Sequence, residues 1–171
     1  MKQYVRNILI YSVALLAILA FIMLFSNSLK IYDSINDSWV EYKVNAYTGD
    51  NFNGETIYKG SIIPIFGFVL PLAISIALIV ESFKKSWLSG IKVINTVLAV
   101  LLFLCVLTVL LTKELFLTVN ELGSTNILKN GTGPVISAIA SACAGIILLF
   151  ATWLPFKSDI KFIERDNNGD F

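Results

Sequence analysis

The sequence contains no histidine, and this absence removes several kinds of chemistry at once. Histidine is the commonest general base, the commonest transition-metal ligand and the side chain that titrates near neutral pH. Hydrolases and oxidases that depend on it are therefore disfavoured. Cysteine is scarce as well: Cys105 and Cys143 both fall inside apolar runs, where a free cysteine behaves as a small hydrophobic residue. A structural disulfide in an exposed loop is excluded on the same ground.

Charge is scarce and evenly balanced. Only 15% of the residues are charged, with 13 basic against 12 acidic side chains, so no bulk field attracts nucleic acid or an acidic substrate. No Asp, Glu, Lys or Arg stands in the middle of any long apolar run. A proton relay or an ion-coupled carrier therefore lacks the ionisable residues on which it depends.

Apolar residues, by contrast, make up 56% of the chain, and the mean hydropathy is +0.77, which a soluble surface does not carry. A helix needs about 20 apolar residues to cross a hydrocarbon core of about 30 Å. The sequence predicts an all-α integral membrane protein with one four-helix domain over 1–156 and a cytoplasmic tail over 157–171. The predicted spans lie at about 8–28, 61–82, 89–112 and 134–156.

Basic residues are distributed unevenly between the two sides of this predicted bundle. The side that holds both termini carries eight of them: Lys2, Arg6, Lys84, Lys85, Lys92, Lys157, Lys161 and Arg165. The other side carries five: Lys30, Lys43, Lys59, Lys113 and Lys129. By the positive-inside rule, both termini are cytoplasmic and the long polar segment 29–60 is extracytoplasmic. We expect the protein in the plasma membrane.

The polar segment 29–60 has the alternation of β structure. Apolar and polar residues alternate from Trp39 to Ala46, turn-forming residues concentrate at 48–54, and 55–59 has the composition of a second strand. The sequence predicts one β-hairpin, in which the strand that begins at Trp39 pairs with 55–59 around a turn near Asp50 to Gly54.

The segment between the third and fourth spans is mixed in character. Leu115, Phe116, Val119 and Leu122 share a helical face. Two alternatives fit this pattern: the third helix continues past the membrane, or it bends along the membrane surface before Gly123.

Small residues mark helix faces where another backbone can come close. Ser137, Ser141 and Gly145 recur at four-residue spacing in the fourth span. Two alternatives are open for this face: packing within the chain, or a seam with a second copy or another subunit. In the second span, Gly67 is a further packing position, and Pro71 removes a backbone hydrogen bond and is expected to kink the helix.

No motif for catalysis, metal binding or cofactor binding survives inspection. Ser137 has no base available in its span. Acidic and amide residues around Gly54 and in the tail do not match the twelve-residue spacing of a calcium loop. Asn95, inside the third span, is expected to form an interhelical hydrogen bond. The sequence therefore predicts a protein that is not an enzyme and that holds no cofactor or metal ion.

Aromatic residues are unusually dense among the acids of the long polar segment. The candidate partner-binding residues are Trp39, Tyr42, Tyr47, Phe52 and Tyr58. One interpretation is a recognition surface, because Trp and Tyr supply strong binding contacts. The other is an interfacial aromatic belt together with the core of the hairpin itself.

Four spans, cytoplasmic termini and a long first outer loop with strand character resemble the topology of the claudin type of membrane protein. Members of that family share a Gly-Leu-Trp followed by a cysteine pair in this loop. Here Trp39 has no Gly-Leu before it, and the loop has no cysteine. The resemblance implies an architecture and no junction role.

We therefore expect a non-enzymatic membrane protein that presents 29–60 to an extracytoplasmic protein partner. Besides the lipid bilayer, it is expected to pack with itself or with a larger membrane complex, and not with nucleic acid. The alternative is a small transporter or pore-forming subunit.

Overall fold

The structure is a computed structural model that describes residues 3–33, 35–42, 50–52, 55–59, 62–82, 89–115, 117–118 and 128–154. Within these ranges the chain is mostly helical. The helices are α1 (Gln3–Ile22), which continues as a 3-10 turn (Met23–Phe25), α2 (Ile62–Ser82), α3 (Ser89–Leu110), the short α4 (Thr112–Leu115) and α5 (Thr132–Trp153). Four segments are long and apolar enough to cross a membrane, which confirms that part of the sequence prediction: Val5–Phe25, Ile62–Ser82, Ile91–Leu110 and Thr132–Trp153.

The four long helices pack as a ring. α1 lies against α2 and α5, and α3 lies against the same two helices. The centre of the ring is filled by buried apolar side chains from all four helices: Ile10, Val13, Ile74, Leu78, Ala99, Leu102, Ala144 and Leu148. The outer faces are apolar too, since Leu15, Phe66 and Val93 are 63–68% exposed. A bundle that is hydrophobic on both its inside and its outside suits lipid rather than water.

Among the described residues, six strands form two small antiparallel sheets. The strands are β1 (Leu29–Asp33), β2 (Ser38–Tyr42), β3 (Asp50–Phe52), β4 (Glu55–Lys59), β5 (Leu117–Thr118) and β6 (Leu128–Asn130). The first sheet has the order β2-β1-β6 and the second the order β3-β4-β5. Each sheet thus takes two strands from the α1–α2 connection and one from the α3–α5 connection. We call the end of the bundle from which these connections leave the sheet end, and the opposite end the far end.

The predicted single hairpin is wrong in its pairing. β2 pairs with β1, which places Trp39 opposite Tyr32, and β4 pairs with β3, which places Phe52 opposite Glu55. Asp50 and Phe52 are therefore strand residues rather than turn residues. Local pairing wins because it closes only short loops; in the β1–β2 connection, Asp37 adopts a positive φ of 48°, which aspartate tolerates better than most residues. Residues 43–49, with Tyr47, lie outside the described residues.

The chain does not continue as one unbroken helix after the third span. α3 ends at Leu110, and the chain passes through α4 into the strand β5. Asn130 holds this break in place: its Nδ2 donates to the carbonyl oxygen of Leu110 (2.6 Å), and its Oδ1 accepts from the backbone N–H of Lys113 (3.1 Å). A carbonyl at a helix end needs such a partner. Phe116, Val119 and Leu122 lie outside the described residues.

The small face of α5 is occupied by helices of the same chain. Ser137 donates a hydrogen bond from Oγ to the carbonyl oxygen of Ala20 on α1 (3.0 Å), and Ser141 is buried. A Cβ atom at Gly145 would lie 3.1 Å from the ring of Phe103 on α3. These three residues of α5 therefore pack within the chain, against α1 and α3.

The approach of α2 to α3 depends on Gly67 in the same way. A Cβ atom at Gly67 would overlap Thr108 and would lie 2.8 Å from Cγ2 of Val109. Pro71 is buried, and α2 is one helix on both sides of it. The small residues of α2 and α5 thus determine how closely the neighbouring helices approach.

Candidate functional site

The first sheet is seated on the bundle through one strand end. Leu29, at the start of β1, is completely buried in an apolar cluster that also contains Leu24, Phe68 and Val109. Next to it, the backbone N–H of Gly131 donates to the carbonyl oxygen of Ser28 (2.8 Å). A Cβ atom at Gly131 would lie within 2.5–2.9 Å of the backbone of residues 27–29, so a larger residue cannot occupy this position without moving the sheet.

The register of the first sheet gathers five side chains on one face. Trp39 is opposite Tyr32, Glu41 is opposite Lys30, and Lys30 is also opposite Lys129. Directly opposite residues point to the same face, and so do alternate residues of one strand. We call the face formed by Lys30, Tyr32, Trp39, Glu41 and Lys129 the Trp39 face. Leu29 belongs to the opposite face and attaches it to the bundle at the start of β1.

The indole of Trp39 is held on two sides. The ring of Tyr32 meets it edge-on, with the centroids 5.4 Å apart, and Nζ of Lys129 lies 4.0 Å from its centroid. An exposed cation over an aromatic ring contributes about 0.5–1 kcal/mol. Tyr32 donates its own hydroxyl hydrogen bond to Asp37, which raises the pKa of Tyr32. Trp39 remains 37% exposed, so a fixed aromatic side chain is presented to the surroundings.

Glu41 connects β2 to the bundle. Its Oε1 lies 3.1 Å from Nζ of Lys30 and accepts a hydrogen bond from the hydroxyl of Thr132, the first residue of α5. Partial burial opposes ionisation of the carboxylate, but the hydrogen bonds from Thr132 and Lys30 outweigh it and lower the pKa of Glu41. The negative charge also stands at the amino end of a helix, where the helix dipole favours it.

The five partner-binding residues predicted from the sequence do not lie in one sheet. Trp39 and Tyr42 belong to β2 in the first sheet, whereas Phe52 and Tyr58 belong to β3 and β4 in the second. Tyr47 lies outside the described residues. Sequence reasoning missed Lys129, because a single lysine in a distant loop carries no signal of its position over Trp39.

A second polar cluster lies at the far end and joins three helices. Asn95 on α3 is 1% exposed and donates from Nδ2 to Oε1 of Glu81 on α2 (3.1 Å), which confirms the predicted interhelical hydrogen bond. The carboxylate of Glu81 also attracts the guanidinium of Arg6 on α1, which is 8% exposed. The sequence placed Arg6 and Glu81 near span ends but did not indicate that they share a site.

The described residues offer no group of three His, Cys, Asp or Glu side chains arranged to hold a metal ion. These residues present an aromatic and charged face at the sheet end and a buried polar cluster at the far end. Comparison of the chain with protein-family models, with curated proteins and with solved structures gives no match.

Proposed function

We propose that this chain is a non-enzymatic integral membrane protein that serves as an interaction subunit. In this proposal the four long helices span the bilayer, both termini are cytoplasmic, and the two sheets lie outside the plasma membrane. The Trp39 face binds an extracytoplasmic protein partner. The observation that carries the proposal is the fixed, part-exposed indole of Trp39 at the sheet end of an apolar bundle.

Membrane insertion is supported by the outer surface of the helices. Along α5 the exposed positions are large and apolar, with Ile139 at 59% and Phe150 at 60% exposure. An apolar groove of about 550 Å³ on the same helix is lined by Ile146, Leu149, Phe150, Trp153 and Leu154. Exposing this much apolar surface to water is unfavourable, whereas contact with lipid acyl chains is not.

The orientation is supported by the basic residues, which are more numerous on the side of the termini. An impermeant thiol reagent tests it on intact cells in a chain with Cys143→Ala, since Cys105 is buried. A thiol at Ile35, which is 91% exposed in the β1–β2 connection, is expected to react. A thiol at Ser86, in the segment between α2 and α3, is expected to react only after the cells are opened. The reverse pattern would invert the topology.

Partner binding is supported by the way in which the Trp39 face is organised before any partner arrives. Tyr32 and Lys129 fix the indole, and Glu41 fixes the strand that carries it. A side chain that is already ordered loses less conformational entropy on binding, and Trp is among the residues that dominate interface energies. The resemblance to claudin topology enters this proposal as architecture alone.

The experiment that tests this binding is crosslinking on intact cells with a matched control. Wild type, Trp39→Ala and Ile35→Ala chains are compared at equal surface level. We expect an adduct that is at least tenfold weaker with Trp39→Ala and unchanged with Ile35→Ala, because a central interface Trp contributes about 2 kcal/mol or more. Equal adducts from all three chains would refute binding through this face.

The alternative function, a small transporter or pore, needs a polar path, whereas the described core cluster at the centre of the bundle is apolar. The core side chains from the four helices are 0–2% exposed and apolar. A path would therefore have to form between several copies. Liposomes that contain the purified chain are expected to stay sealed to small ions and solutes; flux that is lost on Pro71→Leu would instead favour the alternative.

A further inference from the structure

Among the residues that the structure describes, β2 is an edge strand of the first sheet. In the order β2-β1-β6, one side of its backbone pairs with β1, and no described strand pairs with the other side. The outward N–H and C=O groups of such an edge form a template for another strand. Proteins usually block this template with lysine, proline, a bulge or a covering segment.

β2 carries few of these protections. Its sequence, from Ser38 to Tyr42, contains neither proline nor lysine, and its pairing with β1 is regular over five residues. The charge of Glu41 is already balanced by Lys30. Val40 is 49% exposed although it is an apolar strand residue. The other edge strand, β6, differs because it has only three residues, contains Lys129 and runs directly into α5.

We propose that β2 pairs in antiparallel fashion with β2 of a second copy of this chain, about a two-fold axis at Val40. The two three-stranded sheets would then join into one sheet of six strands. The register is self-complementary: Val40 lies opposite Val40, Trp39 opposite Glu41, and Ser38 opposite Tyr42. No like charges face each other, and an isologous contact of this kind closes at two copies.

The two-fold symmetry of this pairing is compatible with two copies that have the same orientation across a bilayer. When two antiparallel strands meet in a continuous sheet, the two-fold axis is perpendicular to that sheet. Leu29, on the face opposite the Trp39 face, is packed against residues of α2 and α3 and the end of α1. The proposed dimer requires that the perpendicular to the sheet points along the bundle. Both copies then cross the membrane in the same direction. This step rests on the proposed membrane insertion, whereas the strand pairing does not.

The small size of the contact decides where it is expected to form. Five residues from each copy bury less than the roughly 1,200 Å² of a stable interface in solution. Confinement of both copies in one bilayer, with their orientation already fixed, raises their effective concentration. We therefore expect the dimer in membranes at ordinary protein-to-lipid ratios rather than in dilute detergent.

Disulfide trapping in vesicles tests the register. The parent chain carries Cys143→Ala, and Cys105 stays because it is buried. Directly opposite residues have Cβ atoms about 4.5–5.5 Å apart, close enough for a disulfide after a small adjustment. Val40→Cys is expected to form a covalent dimer at least tenfold faster than Ile35→Cys, the exposed control in the neighbouring connection. A mixture of Trp39→Cys and Glu41→Cys chains is expected to give the heterodimer in preference to either homodimer.

A charge at the two-fold axis tests the contact independently. Val40→Lys would place two ammonium groups opposite each other, so we expect energy transfer between labelled copies to fall to the level of random collisions. Ile35→Lys is expected to leave the transfer unchanged. Thiol labelling of Ile35 in the same vesicles reports the topology separately, so that a wrong orientation and a missing dimer give different results.

Three outcomes would overturn the proposal. The first is that Val40→Cys crosslinks no faster than Ile35→Cys, the second that it crosslinks only to a different protein, and the third that the Val40→Lys chain keeps full energy transfer. A fourth, in which the Val40→Cys thiol is protected from reagent without any crosslink, would assign this strand to the lipid surface and would overturn it as well.

Discussion

Replacing Glu81 by leucine tests whether the far-end cluster holds three helices together. The substitution leaves the Arg6 guanidinium, 8% exposed, without the carboxylate that attracts it, and leaves Nδ2 of Asn95 without its acceptor. Removing the partner of a fully buried charge costs about 3–5 kcal/mol, which is an upper bound here because Glu81 is only half-buried. The interhelical hydrogen bond adds about 0.6 kcal/mol. Arg6 lies in the first turns of α1 and can extend toward the headgroups, which lowers the total to about 2–3 kcal/mol.

Matched variants separate the charge from the hydrogen bond. Asn95→Leu removes only the hydrogen bond and is expected to cost less than about 1.7 kcal/mol. Arg6→Leu combined with Glu81→Leu removes both charges, and such pairs are often replaced by apolar residues without loss, so the double variant is expected to recover stability. The assay is reversible unfolding in mixed micelles, followed by circular dichroism. A free energy of unfolding for Glu81→Leu within about 0.5 kcal/mol of the wild-type value would refute a stabilising role for the far-end cluster. A double variant that is the least stable of the set would refute it as well.

Three further predictions concern the sheet end and the helix contacts. Asn130→Ala removes both hydrogen bonds that hold the break between α3 and α4, and is expected to cost about 1–3 kcal/mol in the same unfolding assay. An unchanged free energy of unfolding would contradict the bridging role. Gly67→Ala overpacks the contact with α3 and is expected to cost about 1–3 kcal/mol, and an unchanged unfolding midpoint would show that α3 moves aside freely. The pKa of Glu41 in the folded chain is below the ordinary 4.5, so ionised Glu41 contributes to stability above pH 4.5, and this contribution is lost as the pH falls through the lowered pKa. Glu41→Gln is expected to remove this acid-dependent loss of stability. An unaltered pH profile of stability would exclude Glu41 as its source.

The sequence determined the helices because their signal is local. A run of apolar residues long enough to span a hydrocarbon core predicts a helix wherever the run lies, and all four runs are helical. The same holds for β2 and β4, whose alternation marks them as strands. The hydrogen bond of Asn95 also followed from a local fact, since a strongly polar side chain within an apolar helix needs a partner.

Only the tertiary structure decided which strands pair. Alternation shows which residues share a face of a strand but does not identify the neighbouring strand, so the sequence paired β2 with β4 where the structure pairs it with β1. The strands β5 and β6 are two and three residues long, too short to give any periodic signal. They exist because the edges of β4 and β1 provide hydrogen-bond partners.

The candidate site was not predictable from the sequence for the same reason: a local pattern does not identify the segment that it contacts. Small residues on a helix allow close packing against any helix, and only the positions of Ala20 and Phe103 show that the partner of α5 is this chain itself. Lys129 over Trp39 and Arg6 beside Glu81 are contacts between segments far apart in sequence. Local composition fixes what each segment is, whereas long-range packing fixes which segments meet, and the candidate sites of this protein lie where they meet.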